Sequence, residues 1–225
     1  MLKPERFNRL LLFFIAVCGV AADQATKYSV FSWLSSEPQN RYVLFRTTPK
    51  DDLELHGFAL AVQFERSDDA ERSPLTYGDG SPIPHVNHGA LFGFLRDHKT
   101  AANMLFAAIS CGAIVFVLWW SSQLANVRDR WFCIALGFIL AGTVGNLYDR
   151  LVFNGVRDFL HWDYLYDWPV FNVADCCLVT GACMLLLQVF ATPAKKPSAE
   201  SSPVQAERAP AASQPVLATA NAVRN

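Results

Sequence analysis

The sequence predicts an all-α membrane protein: a bundle of four transmembrane helices with a small β-rich external (periplasmic) cap. Three observations carry this expectation. Four apolar runs long enough to cross a bilayer alternate with polar segments. Of the 225 residues, 52% are hydrophobic and only 17% charged, against about 25% charge in an ordinary soluble domain, and the mean hydropathy is +0.19. Finally, two carboxylates, Asp158 and Asp175, sit in polar knots beside apolar runs. An ionisable group at membrane depth costs about 2.5–3.5 kcal/mol on insertion scales, so its presence marks function.

Residues 1–34 form the N-terminus and first span. Lys3, Arg6 and Arg9 precede an apolar run from Leu10 to Ala22. A basic start, a short apolar core and the small residues Val20 and Ala22 also have the form of a secretory signal. The helix continues, however, through Asp23-Gln24-Ala25-Thr26-Lys27 to Leu34. That length spans a bilayer at 1.5 Å per residue and puts Tyr28 and Trp33 at the far interface, so residues 1–22 are expected to be retained. Residues 35–99 form an external segment. Within it, His56 to Glu65 alternates as a strand does, Tyr42-Val43-Leu44-Phe45 can pair with it, and Tyr77 to Pro82 is rich in turn formers. The charged section Asp51–Arg72 lies in the same segment. The second, third and fourth spans are expected at 100–120, 131–147 and 170–191. A basic link at 121–130 and an outer loop at 148–169 connect them. The Ala/Pro/Ser-rich tail, 192–225, is too poor in apolar residues to fold alone and is expected to be disordered.

The basic segments are the N-terminus, the link with Arg128 and Arg130, and the tail start with Lys195 and Lys196. With four spans these share one side, so the positive-inside rule puts both termini in the cytoplasm. Asp23, Asn87, Asn146, Asp158 and Asp175 then all arrive at the external face. A net charge of −1 and the lack of a basic stripe exclude a nucleic-acid partner. Nearly all six cysteines fall in apolar runs, none as C-x-x-C, so they read as small hydrophobes. A thiol oxidoreductase would need external cysteine pairs, and the outer loops have none.

On the residues alone, the carboxylates allow two readings. Asp158 and Asp175 facing one another across a water would make an aspartyl protease dyad: one acid ionised to take a proton, the other protonated to give one, since two acids at close range do not both ionise cheaply. Alternatively, Asp175 caps the last helix and Asp158 is a loop carboxylate. Asp149 directly precedes Arg150, and an ion pair with it or an Arg-anchored helix end is the expected role. Asp23 and Lys27, spaced i,i+4, share a helix face and can pair; direct contact with substrate is the other possibility. His85 and His88 have the H-x-x-H spacing of a metal pair, but no completing ligand accompanies them, and loop histidines are the better reading. A small transporter or channel subunit, with Asp23, Lys27 and Asp175 as a polar pathway, is the non-enzymatic alternative.

Five blocks in order resemble the lipoprotein signal peptidase (signal peptidase II) family of bacterial intramembrane aspartyl proteases. They are Asp23-Gln24-x-Thr26-Lys27, Asn87-x-Gly89-Ala90-x-Phe92-Gly93, Gly142-x-x-Gly145-Asn146-x-x-Asp149-Arg150, Gly155-Val156-x-Asp158-Phe159 and Phe171-Asn172-Val173-Ala174-Asp175. The resemblance implies a catalytic pair of Asp158 and Asp175. It implies supporting or substrate-binding roles for Asp23, Lys27, Asn87, Gly89, Gly142, Asn146, Arg150 and Asn172, and no metal or organic cofactor. The implied substrates are prolipoproteins whose cysteine already carries diacylglycerol, cut just before that cysteine by a monomer in the inner membrane, with membrane lipids as the other partners. Two departures stand out: the segment between Lys27 and Asn87 is longer than the family's, and Arg157 replaces an apolar residue. Turned towards Asp158, that cation would favour its ionised form.

Overall fold

Four apolar stretches fold into helices able to cross a hydrocarbon core of about 30 Å. They are α1 (Pro4–Leu34), α2 (Lys99–Ser122), α3 (Arg130–Phe153) and α4 (Val173–Ala191). The computed structural model describes residues 3–37, 40–46, 57–65, 76–78, 81–89, 98–123, 127–164 and 166–191, all within one unit, Met1–Thr192. The strand start expected at His56, the turn centre at Asp79–Gly80, most of the charged section, Ala90, Phe92 and Gly93, and the tail from 192 lie outside the described residues.

The helix ends have local causes. Pro4 opens α1, where its missing N–H has no intrahelical partner to lose. Asp129 caps α3, its side chain accepting from the Phe132 N–H at 3.1 Å. Asn154, with φ of 57°, closes α3 in the left-handed conformation. Helical bonding therefore runs past Leu147, and Asn146, Asp149 and Arg150 all stand on α3.

α3 is the central helix, packed on α1, α2 and α4. In lipid there is no hydrophobic gain from bringing helices together, so close backbone approach through small residues matters most. Ala135, Gly137, Ala141, Gly142 and Gly145 supply it along α3 and are all buried. Leu12, Ala16, Val117, Cys133, Leu136 and Leu140 form the core between α1, α2 and α3. The outward faces stay apolar and exposed, with Phe13, Phe14 and Val17 on α1, Ile109 and Val115 on α2, and Leu187 and Val189 on α4. Such faces suit lipid rather than water.

At one end of the bundle the helices are joined by polar clasps. Asn8 donates from Nδ2 to the Val127 carbonyl (2.8 Å), Arg9 to the Ser122 carbonyl (3.0 Å), Arg128 pairs with Glu5 (3.2 Å), and Gln188 reaches Asp129 (3.5 Å). The start of α1, the α2–α3 link and the end of α4 thus share one end. The cap and the acids sit at the other.

The cap is a three-stranded antiparallel sheet in the order β1 (Arg41–Arg46), β2 (Gly57–Ala61), β3 (Leu160–Trp162). The β1–β2 pairing follows the expected alternation, with Tyr42 opposite Leu60 and a bulge between Val43 and Phe45. β3 comes from the outer loop; three residues are too few to give a periodic signal. The pleat separates two faces. Tyr42, Leu60 and Leu160 are mutual neighbours on one, with Phe58 and Trp162 beside them. There, Phe31, Leu34, Val62 and Phe159 form a second core that fixes the sheet to the outer end of α1. The other face carries Arg41, Ala61, Ala59 and His161. Asp163 clasps it, accepting from the Gly57 N–H (2.6 Å) and Arg41 Nη2 (2.8 Å). Partial burial works to raise the Asp163 carboxyl, but these two donors outweigh it and hold the group below its ordinary value.

The clasp at the far end from the acids separates stability from chemistry. Asn8→Leu leaves the Val127 carbonyl without its side-chain donor and is expected to lower unfolding free energy in detergent by about 1 kcal/mol. The folded fraction should keep the activity of the parent protein. An activity loss larger than the loss of folded protein would show that the two ends are coupled.

Candidate active site

Asp158 lies between two short backbone bridges. On one side Asn87 and Val156 exchange N–H···O bonds of 2.8 and 2.9 Å; on the other, Leu160 and Phe171 exchange bonds of 2.8 and 3.0 Å. These bridges bring the Asn87, Asp158 and Asn172 motifs, far apart in sequence, onto one spot.

Asn172 and Asp175 form a reciprocal cap on α4. The Asp175 N–H donates to Asn172 Oδ1 and the Asn172 N–H to Asp175 Oδ2, both at 3.1 Å. The expectation that Asp175 caps the last helix is met. Asn172, fully buried, joins the two acids, because its Nδ2 donates to Asp158 Oδ1 at 2.6 Å while its backbone N–H holds Asp175. Asn87 Nδ2 donates to Asp158 Oδ2 (3.0 Å) and Asn146 Nδ2 to Asp175 Oδ1 (2.8 Å). Burial, and then the negative charge of Asp175, raise the Asp158 carboxyl to about 6; the Asn87 and Asn172 donors and Lys27 act against this.

Beneath the pair lies a closed ionic cluster. Asp23 and Lys27, both fully buried, pair at 2.8 Å as the i,i+4 spacing predicts. Asp23 also accepts from the Ala174 N–H (2.9 Å), so α1 supplies a second cap to α4. Lys27 Nζ reaches Asn146 Oδ1 (3.2 Å) and Asp149 (3.4 Å). The expected pairing of Asp149 with Arg150 is not found. Asp149 takes Arg157 instead, through Nη2 (2.9 Å), Nε (3.2 Å) and the backbone N–H (2.9 Å). Arg157 is thereby turned away from Asp158, its guanidinium stacked over Tyr28 (4.2 Å) and Phe153 (4.0 Å) and bonded to Gln24 Oε1 (2.9 Å). Consecutive residues on a helix point apart, which separates Asp149 from Arg150; the chain turn after Asn154 folds Arg157 back onto Asp149. No spacing rule gives that return.

Arg150 donates to the Asn146 carbonyl (3.2 Å) and stacks over Phe106 (5.6 Å). Its Nε is buried without a hydrogen-bond partner among the described residues. Asn103 on α2 anchors the same corner, donating to the Arg150 carbonyl (3.0 Å) and Asn154 Oδ1 (2.9 Å). It received no role in the sequence analysis, although an amide inside an apolar helix was a signal. Gln24 likewise went without a role inside a quoted motif. Gly142 touches no acid: a Cβ there would strike the Ala174 carbonyl oxygen, and one at Gly145 would fall 2.6 Å from Asp23 Oδ2. Both let α3 approach the start of α4 and the ionic cluster. Gly89 holds φ of 85°, and its N–H donates to Asn87 Oδ1 at 2.8 Å. His85 pairs with Glu65 (2.7 Å) and His88 bonds the Asn154 carbonyl (2.7 Å); no metal-holding cluster occurs among the described residues.

Asp158 and Asn87 lie on the wall of a cleft of about 650 Å³ formed with the cap. Four helices able to span a membrane, with Asp158 and Asp175 joined through Asn172 at one end, define the class as a multi-pass membrane protein. The comparisons with known proteins make that class specific. The family described as Signal peptidase (SPase) II matches residues 81–191. A lipoprotein signal peptidase of Anaeromyxobacter sp. is 34% identical over 187 residues, covering 79% of this chain and 83% of that protein. One from Pseudomonas putida is 40% identical over 106 residues, 46% of this chain, and that match spans 61% of the relative's length. A bacterial membrane enzyme solved by the in meso method at 2.3 Å shares the fold, with a TM-score of 0.58, 22% identity, and coverage of 85% of this chain and 94% of that one. The chain belongs to the signal peptidase II family and is a multi-pass bacterial membrane protein.

The ionic cluster balances two acids against two bases, so removing one member leaves a buried charge. Lys27→Met is expected to cost about 3–5 kcal/mol of stability. The double replacement Asp23→Asn/Lys27→Met should cost less than Lys27→Met alone, measured by unfolding in mixed detergent. Simple addition of the two single effects would show that the cluster is not charge-coupled.

Proposed function

We propose that this protein is an intramembrane aspartic endopeptidase that removes signal peptides from diacylglyceryl-modified prolipoproteins, cutting just before the lipid-bearing cysteine. The observation that carries this reading is Asn172 holding Asp158 and Asp175 together at the end of the spans. The relatives' name, lipoprotein signal peptidase, supports the substrate class.

Asp158 and Asp175 act as a pair. Asp158, raised to about 6, carries the proton. Asp175 takes a proton from water as the water oxygen attacks the scissile carbonyl carbon, and Asp158 gives its proton to the carbonyl oxygen. In the second half the gem-diol collapses. The C–N bond breaks, Asp175 passes its proton to the leaving nitrogen, and Asp158 recovers a proton from the hydroxyl. No metal or cofactor enters these steps. The working unit in this reading is a monomer, which the presence of both acids in one chain supports. Both termini are cytoplasmic and the site faces outward, as the basic residues near the span ends argue. Lipid lies against the outer faces of the bundle, and the signal segment enters from it. A transporter reading fits the same residues poorly, because Asp23 and Lys27 are sealed from solvent and paired with each other.

Amide replacement keeps shape and removes acid–base capacity. Asp158→Asn and Asp175→Asn are each expected to lower cleavage of a purified diacylated prolipoprotein by about 10²-fold or more, read as a mass shift, while the protein remains folded. Substantial activity in either variant would remove the pair assignment.

The pH dependence follows from the raised carboxyl. The proton on Asp158 is present below about 6 and lost above it, so kcat/KM should fall as pH rises through that value. A flat profile between pH 5 and 8 would show that Asp158 is not the titrating acid.

A further inference from the structure

The cleft beside Asp158 extends away from the bundle along the polar face of the sheet, where no catalytic step takes place. We propose that it is a binding site for the substrate segment following the lipid-bearing cysteine, held there as an extended polar peptide. This rests on the proposed function and adds a site that the reaction itself does not require.

The topology supplies the occupant. A signal segment reaching Asp158 from the bilayer has its scissile bond at the end of the spans. The chain beyond that bond must leave outward, and the cleft opens from Asp158 in that direction. Its 650 Å³ is in the range of peptide and small-molecule sites. Its lining, in which Val86, Trp168, Pro169 and Val170 stand beside charged and polar groups, suits a peptide better than the other candidate, the acyl chains. Ala61 and Gln63 continue the sheet face beside Arg41, His161 stands next to them, and Asp167 lies at the rim. Acyl chains would leave these polar groups without water, whereas a peptide offers them carbonyl and amide partners.

The wall is built to stay in place. Arg41 bonds Asp163 through Nη2 (2.8 Å) and His161 Nδ1 through Nη1 (3.1 Å), and His161 Nε2 meets Asp167 Oδ1 (2.7 Å). A guanidinium only donates, so Nδ1 of His161 accepts and the ring proton resides on Nε2, directed at Asp167. Arg41 stands opposite Ala61 across β1–β2, and His161 opposite Ala59 across β2–β3. The small alanines let the two polar side chains lie over the sheet and meet each other, covering Ala59 and leaving Ala61 on the cleft wall. The cleft lining carries the cations Arg41 and Lys99 and the acids Asp158 and Asp167, so it favours an extended peptide rather than one sign of charge.

The test uses two diacylated substrates that differ only after the cysteine: one amidated at the cysteine itself, the other continued by five polar residues. For the parent enzyme the continuation should lower KM by roughly tenfold, as expected for two or three added hydrogen bonds, with kcat within about twofold. In Arg41→Ala/His161→Ala that advantage should vanish, while the short substrate is cleaved with parent kinetics. An advantage that survives the double replacement overturns the proposal. If neither substrate is cleaved by the parent enzyme, the proposed function fails instead. Should the double variant not fold, a photoreactive residue placed third after the cysteine, in the parent enzyme, decides the matter. Adducts on Arg41, Ala61, Gln63, His161, Asp167 or Trp168 support the cleft, and adducts confined to the helices beyond Lys99 overturn it.

Discussion

Asp23 is a carboxylate in the middle of a membrane helix, and much of the site hangs on how it is satisfied. One oxygen takes Lys27 and the other takes the Ala174 N–H. The first bond makes the charge tolerable; the second fixes where α4 begins. Because Asn172 and Asp175 form the cap at that same helix start, the Asp175 carboxylate inherits its place from an ion pair on α1. An N–H at a helix start has no intrahelical partner, and in a bilayer no water would replace Asp23. Gly145 is needed for the same reason, since any side chain there would displace the Asp23 oxygen.

The sequence was informative where chemistry repeats in short motifs and uninformative where chains meet at a distance. The four spans, the β1–β2 pairing and the Asp23–Lys27 bond are all local patterns with a fixed period. β3 was not legible, because three residues carry no period and only the pairing of Phe58 with Trp162 and Leu60 with Leu160 makes them a strand. The partner of Asp149 was misjudged for a related reason. Adjacency in sequence suggested Arg150, but neighbours on a helix diverge, and Arg157 returns to Asp149 only through the turn at Asn154. Asn103 shows a different gap: the signal was present, a polar residue in an apolar run, yet its partner on α3 is 47 positions away.

Arg157 also changes how the departure from the family pattern reads. A cation next to a catalytic acid in sequence would ordinarily hold that acid ionised. Here the guanidinium is committed to Asp149, Gln24, and the faces of Tyr28 and Phe153. Its charge balances the cluster below the pair, in which Lys27 is shared among Asp23, Asn146 and, at 3.4 Å, Asp149. The extra cation thus supports the floor of the site and leaves the Asp158 carboxyl free to carry a proton.

That freedom depends on the donors around the pair being amides. Each of the three asparagines has its oxygen end engaged by a fixed donor: Asn87 by the Gly89 N–H, Asn146 by Lys27, and Asn172 by the Asp175 N–H. Each nitrogen end then reaches a carboxylate, that of Asn172 donating to Asn146 Oδ1 (3.2 Å) as well, so the orientation of every amide is set by its surroundings. An amide neither gains nor loses a proton at working pH. Lysine or histidine in those places would titrate alongside the acids or hold both of them ionised. With amides, the bonds around Asp158 and Asp175 do not change charge with pH, and the proposed exchange of protons is left to the two acids alone.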